Sequence, residues 1–123
     1  MAGVKRFEDL VAWQKARELT ARVFELTASP GFSKDWSLVN QMRKSAVSMG
    51  SNIAEGFERS RPKEFHQFLS VAKGSCAELR SQLYTALDTR LISQADFDEI
   101  IAIAEEASRV INGLRSSVHK NTT

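Results

Sequence analysis

The sequence predicts an all-α protein folded as an up-down-up-down four-helix bundle. Three observations predict it. Apolar residues recur at 3.6-residue spacing in four long stretches. Only two Pro and six Gly interrupt 123 residues, so breaks are few. Val and Ile are scattered rather than alternating with polar residues, and Ala is abundant, which suits helices and not strands. The length is that of one domain, residues 1–123, with no room for a separate catalytic domain. Four long helices on short loops pack most simply with consecutive helices antiparallel.

The spacing predicts a first helix over about residues 8–28, with Trp13, Ala16, Thr20, Val23, Phe24 and Thr27 inward. Ser29-Pro30-Gly31 stops it. Ser33 is then a candidate cap for a second helix over 34–59, since its hydroxyl can accept from an orphan amide. That helix turns Leu38, Met42, Ala46, Met49, Ile53 and Phe57 to the core. Ser60-Arg61-Pro62 marks the next break, with Ser60 as cap and Pro62 in a first turn where its missing N–H costs nothing. A third helix over 61–90 carries Phe65, Phe68, Leu69, Ala72, Cys76, Leu79, Leu83, Ala86 and Leu87 inward. Ser93, with Asp96 three residues on, caps a fourth helix over 94–118. Its stripe is Phe97, Ile100, Ile101, Ala104, Ala107, Ile111, Leu114 and Val118, and a frayed tail follows from His119.

Composition removes several classes. A single Cys76 cannot form an internal disulfide and suits a reducing compartment. There is no long apolar run and no signal-peptide pattern, so the expected place is the cytoplasm, with no membrane partner. Net charge is +2 but unevenly spread. Residues 34–90 carry nine basic and six acidic side chains, while residues 91–123 carry three and five. The middle is basic and the last third acidic.

The second helix reads Gln41-Met42-Arg43-Lys44-Ser45-Ala46-Val47-Ser48-Met49-Gly50-Ser51-Asn52-Ile53-Ala54-Glu55-Gly56. Its Gln41, Arg43, Asn52, Glu55 and Gly56 resemble the signature of the four-helix-bundle proteins encoded in intervening sequences of 23S ribosomal RNA genes. Phe7-Glu8-Asp9-Leu10 with Trp13, Glu64-Phe65 with Phe68-Leu69, and Ala72-Lys73-Gly74-Ser75 with Glu78-Leu79 agree with it. The resemblance implies a bundle assembled into a homo-oligomeric ring, typically a pentamer, without established enzymatic activity. It also links the chain to accessory variability proteins of retroelements, which bind nucleic acid and a reverse transcriptase through basic surface. The chain departs from the pattern at Ser33, where Pro is usual, and at Arg90, where Gly is usual.

No catalytic residue, cofactor or metal is expected. Bundle metal sites use Glu-x-x-His on facing helices, and that spacing is absent. Cys76 falls within an apolar stripe, where a thiol is normally inert. Asn52 and Glu55 fit either a ligand site or a structural role, in which Asn52 satisfies backbone and Glu55 makes an ion pair; the structural role is preferred. Small residues crowd positions 45–56 and 70–77. A hairpin turning near Arg61 sets Gly50 opposite Ala72, Ser48 opposite Gly74 and Lys44 opposite Glu78, with Gly74 in a close helix contact.

Two surfaces are candidates for binding. Ala12, Leu19 and Leu26, with Trp36, Val47, Ile103 and Val110, form second apolar stripes that suit self-association. On the third helix His66, Lys73 and Arg80 recur every seven residues, with Tyr84 one turn on and Arg59, Arg61 and Lys63 at its start. Such a flank can follow the phosphates of RNA or DNA, with His66 adding attraction when protonated. The expected function is a non-enzymatic oligomeric binding or scaffold module, with nucleic acid as the leading partner. The alternative is a structural ring or one that docks another protein.

Overall fold

The computed structural model describes residues 3–120. A 3-10 turn, Phe7–Asp9, leads into α1 (Val11–Thr27), α2 (Trp36–Glu58), α3 (Pro62–Asp88) and α4 (Gln94–Lys120). No strand occurs among the described residues. Each helix packs on its neighbours in sequence, and α4 closes back on α1. The helices therefore stand in a square, α1 diagonal to α3 and α2 diagonal to α4. The α1/α2 face is then opposite the α3/α4 face.

Local chemistry sets the helix ends, and several differ from expectation. Leu10 is extended (φ −72, ψ 126), so α1 begins at Val11 rather than near residue 8. Asp35, not Ser33, caps α2, its carboxylate accepting from the Leu38 amide at 3.3 Å. The Ser33 amide is spent on the loop, donating to Ser29 O at 2.9 Å. Ser60 does not cap α3. It sits at φ 61, just past α2, and its amide donates to Phe57 O at 3.2 Å. Arg61 holds the N-cap position of α3 with no side-chain cap, and Pro62 lies in the first turn. Ser93 does cap α4, accepting from the Asp96 amide at 3.1 Å. Helix α4 runs on through His119 to Lys120, where a frayed tail was expected; residues 121–123 lie outside the described ones.

The end of α3 resolves the departure at Arg90. The Leu91 amide donates to Ala86 O and the Arg90 amide to Leu87 O, at 2.9 and 3.0 Å. This pair of bonds is the helix stop that normally uses glycine in the left-handed region. Arg90 adopts that conformation itself, at φ 62. The stop is kept with a residue that carries a Cβ, at an energetic cost.

The core corrects the reading of the first helix. Ala12, Leu19 and Leu26, expected on an oligomer surface, are buried, and Leu19 is 0% exposed. Together with Ala16 and Val23 they form the inward stripe of α1. Of the residues read as inward, Ala16, Val23 and Thr27 are buried, while Trp13, Thr20 and Phe24 lie to one side, so the stripe was turned by part of one 100° residue step. Trp13 lies at the edge, against Phe7 and Gly50, and Phe24 is 37% exposed. Ile103 and Val110 also pack, half-buried, on the core. Trp36 and Val47 are exposed, at 70% and 46%.

Three carboxylates of α4, each about half-exposed, pair with cations of α1. Lys15 Nζ meets Glu106 at 2.8 Å, and Arg22 meets Glu99 at 2.6 Å and Asp96 at 3.9 Å. The glycines sort differently from the hairpin reading. Gly74 faces open space. A Cβ at Gly50 would meet Trp13 of α1, at 3.5 Å, rather than α3. The close contact is at Gly56, where an added Cβ would lie 2.6 Å from Phe68 Cβ and 3.0 Å from Phe65 Cδ1.

Candidate nucleic-acid interface and self-association surface

Helix α3 positions the basic flank along its seam with α4. The half-buried His66 ring stands 4.9 Å from that of His119 on α4. One turn on, Ser70 Oγ accepts from Arg115 Nε at 2.7 Å, which draws a guanidinium from α4 onto the same seam. Lys73 is exposed and Arg80 half-buried further along. Tyr84 is exposed at the far end, its ring edge-on to Phe97 at 4.9 Å. His66, Lys73 and Arg80 of α3 and Arg115 and His119 of α4 thus bring five basic side chains to one seam. Burial lowers the His66 pKa below 6.5, and the nearby charges of Arg115 and His119 push it the same way. His66 therefore gains its charge at lower pH than an ordinary histidine.

The remaining candidates do not share that seam. Arg59 bridges Glu55 at 3.2 Å and lies over the Phe68 ring at 5.2 Å, which draws it to the α2/α3 side. Arg61 and Lys63 are exposed at the start of α3, and Arg61 lines an end hollow with Lys5, Gly56 and Phe65. Arg115 and His119 were not among the sequence candidates. Antiparallel pairing across α3 and α4 could have found them, because 66 with 119 and 70 with 115 have the same sum.

The signature residues sit at structural joints. Arg43 donates from Nε to Thr27 Oγ1 at 2.9 Å and from Nη2 to Phe24 O at 3.4 Å, and covers the Phe24 ring at 4.6 Å. A cation at the carbonyl end of α1 is favoured by the helix dipole and satisfies groups the helix leaves over. Asn52 Nδ2 donates to Ser48 O and Ser48 Oγ at 2.8 and 3.0 Å, and Ser48 Oγ meets Ser75 Oγ at 2.8 Å. This small network ties α2 to α3. Glu55 holds Arg59, and Gly56 admits Phe65 and Phe68. Gln41 is exposed beside a cleft between α2 and α3.

The α1/α2 face carries an apolar hollow lined by Trp13, Ala21, Phe24, Val47, Gly50 and their polar neighbours. It lies on the side of the bundle opposite the basic seam. Cys76 is buried, its thiol donating to Ala104 O at 3.4 Å, and burial raises its pKa. Among the described residues no group of three or more His, Cys, Asp or Glu is placed to hold a metal ion, and no helix is long and apolar enough to cross a membrane.

These features define a small four-helix bundle with an apolar face and a basic seam on opposite sides. A family model for the 23S rRNA-intervening sequence protein matches residues 8–113, and the chain belongs to that family. Among solved structures it is similar to a protein of unknown function from the S23 ribosomal protein family of Bacteroides thetaiotaomicron VPI-5482, solved at 1.70 Å. The two are 19% identical, with a TM-score of 0.78 over 85% of this chain and 98% of the other. At that identity the likeness concerns the fold. A comparison with curated proteins yields no match.

Proposed function

We propose that this chain is a non-enzymatic binding module that self-associates into a ring, a pentamer as the family resemblance implies, and holds nucleic acid on its basic seam. One observation carries the proposal: the apolar α1/α2 hollow and the α3/α4 seam lie on opposite sides of the bundle. Subunits joined through the first leave the second open. One subunit offers few phosphate contacts, so affinity comes from repetition around the ring. Phe24 and Val47 supply exposed apolar surface for the contact, and Trp13 and Gly50 shape its floor. The acids of α4 that pair with Lys15 and Arg22 stay clear of the seam.

Electrophoretic retardation of a short single-stranded RNA tests the binding half. The wild-type protein retards it at low salt, and Lys73→Glu with Arg80→Glu abolishes retardation without changing the oligomer. Retention by the double variant removes the seam from the binding site. No retention by the wild type favours instead a structural or protein-docking ring, a reading consistent with Arg59 being already engaged by Glu55 and Phe68.

A further inference from the structure

A second cleft, between α2 and α3, lies outside both surfaces. Its cavity is about 380 Å³, lined by Gln41, Lys44, Ser45, Ser48, Ser75, Glu78 and Gln82. It exists because Ser45, Ser48 and Ser75 are too small to fill the space between the helices. Ser45 and Ser75 are buried, so the floor consists of hydroxyls rather than solvent-exposed carbon.

The polar groups of this cleft leave capacity unused. The Gln82 Oε1 atom is buried with no hydrogen-bond partner. An unpaired buried acceptor costs about 1–3 kcal/mol, so it calls for a donor. The hydroxyls of Ser48 and Ser75 have two protons between them, and their mutual bond at 2.8 Å uses one. The Asn52 amide donates to Ser48 Oγ and consumes no proton of the pair. One hydroxyl proton of this pair therefore remains for an acceptor in the cleft, beside the Ser45 hydroxyl, which makes no side-chain hydrogen bond to another described residue. At the rim, Lys44 of α2 and Glu78 of α3 form no ion pair with each other or with another described residue.

We propose that this cleft binds a small zwitterion of the amino-acid class, because a floor with one orphan acceptor and spare hydroxyl donors lies between an unpaired ammonium and an unpaired carboxylate. The ligand ammonium serves Gln82 Oε1 and Glu78. The ligand carboxylate serves Lys44 and a spare hydroxyl. No aromatic or large apolar side chain lines the cleft, so the ligand side chain is short and polar. The site is independent of nucleic-acid binding, which uses the other side of α3.

Nitrogen-15 NMR of the full-length protein titrated with L-serine tests this. Saturable shifts at the amides of Ser45, Ser48 and Ser75 and at the Gln82 side-chain amide are expected. Lys44→Met and Glu78→Gln, both at exposed positions, each weaken binding at least about tenfold. Glycinamide, without the carboxylate, and acetate, without the ammonium, do not saturate. Absence of saturable shifts with L-serine overturns the proposal. So does binding that is unchanged in both variants, or shifts that map elsewhere.

Discussion

Replacing Gly56 by Ala tests the α2/α3 packing at its tightest point. The new Cβ would lie 2.6 Å from Phe68 Cβ, 3.2 Å from Phe68 Cγ and 3.0 Å from Phe65 Cδ1. Phe68 Cβ is fixed to the α3 backbone, so a rotamer change cannot clear it; α3 must move. Overpacking of this kind costs about 1–3 kcal/mol, and helix propensity returns about 1 kcal/mol when Gly becomes Ala. The net expectation is a loss of up to about 2 kcal/mol, a fall in Tm of several degrees for a domain of this size. Gly74→Ala is the matched control: its Cβ would meet nothing within 4 Å, so propensity acts alone and stability rises by up to about 1 kcal/mol. Urea unfolding followed by circular dichroism measures both. Equal stabilisation by the two substitutions would refute the close contact at Gly56.

Other outcomes follow from particular contacts. Arg90→Gly should stabilise the chain by about 1 kcal/mol, because Arg90 holds φ 62 that glycine adopts freely; the same unfolding assay checks it, and a loss of stability would contradict the helix-stop geometry. Leu19→Ala should cost about 2–5 kcal/mol, as for a fully buried leucine, whereas Phe24→Glu with Val47→Glu should lower the oligomer mass and leave helicity intact. Burial lowers the His66 pKa from 6.5, so any tightening of RNA binding from its protonation should be centred below pH 6.5. The sign for stability is opposite: the unfolded histidine takes its proton first, so this site opposes folding as pH drops through the lowered pKa. Fluorescence anisotropy against pH checks the binding arm, and tightening centred above 6.5 would contradict it.

The four helices were legible because each carries apolar residues at one strong period, and Pro62, Ser93 and the Ser29–Gly31 break mark their ends chemically. The rotation of α1 was legible in part. Ala16, Val23 and Thr27 lie inward as read, but the interior also takes Ala12, Leu19 and Leu26 and leaves the large aromatics Trp13 and Phe24 at its edge. Size misled where tertiary packing decided. The α2/α3 pairing was legible to within one residue: Ser48 meets Ser75, and Lys44 shares a cleft with Glu78. What glycine does depends on a neighbour's exact side chain, so Gly56 could not be told from Gly74 by composition. The basic periodicity on α3 was visible, but Arg115 enters it through Ser70, from a helix whose own charge is acidic. Arg43, legible only as part of the signature, closes the end of α1, a role fixed only when α1 and α2 meet.

Light scattering coupled to size-exclusion chromatography, run with and without a short RNA at low salt, tests the central claim most directly. The subunit mass is 13.7 kDa. The account predicts a single species of several subunits, near the mass of a pentamer, that gains mass when RNA is added and loses that gain as salt rises. A monomer of 13.7 kDa at micromolar concentration, unchanged by RNA, would contradict it.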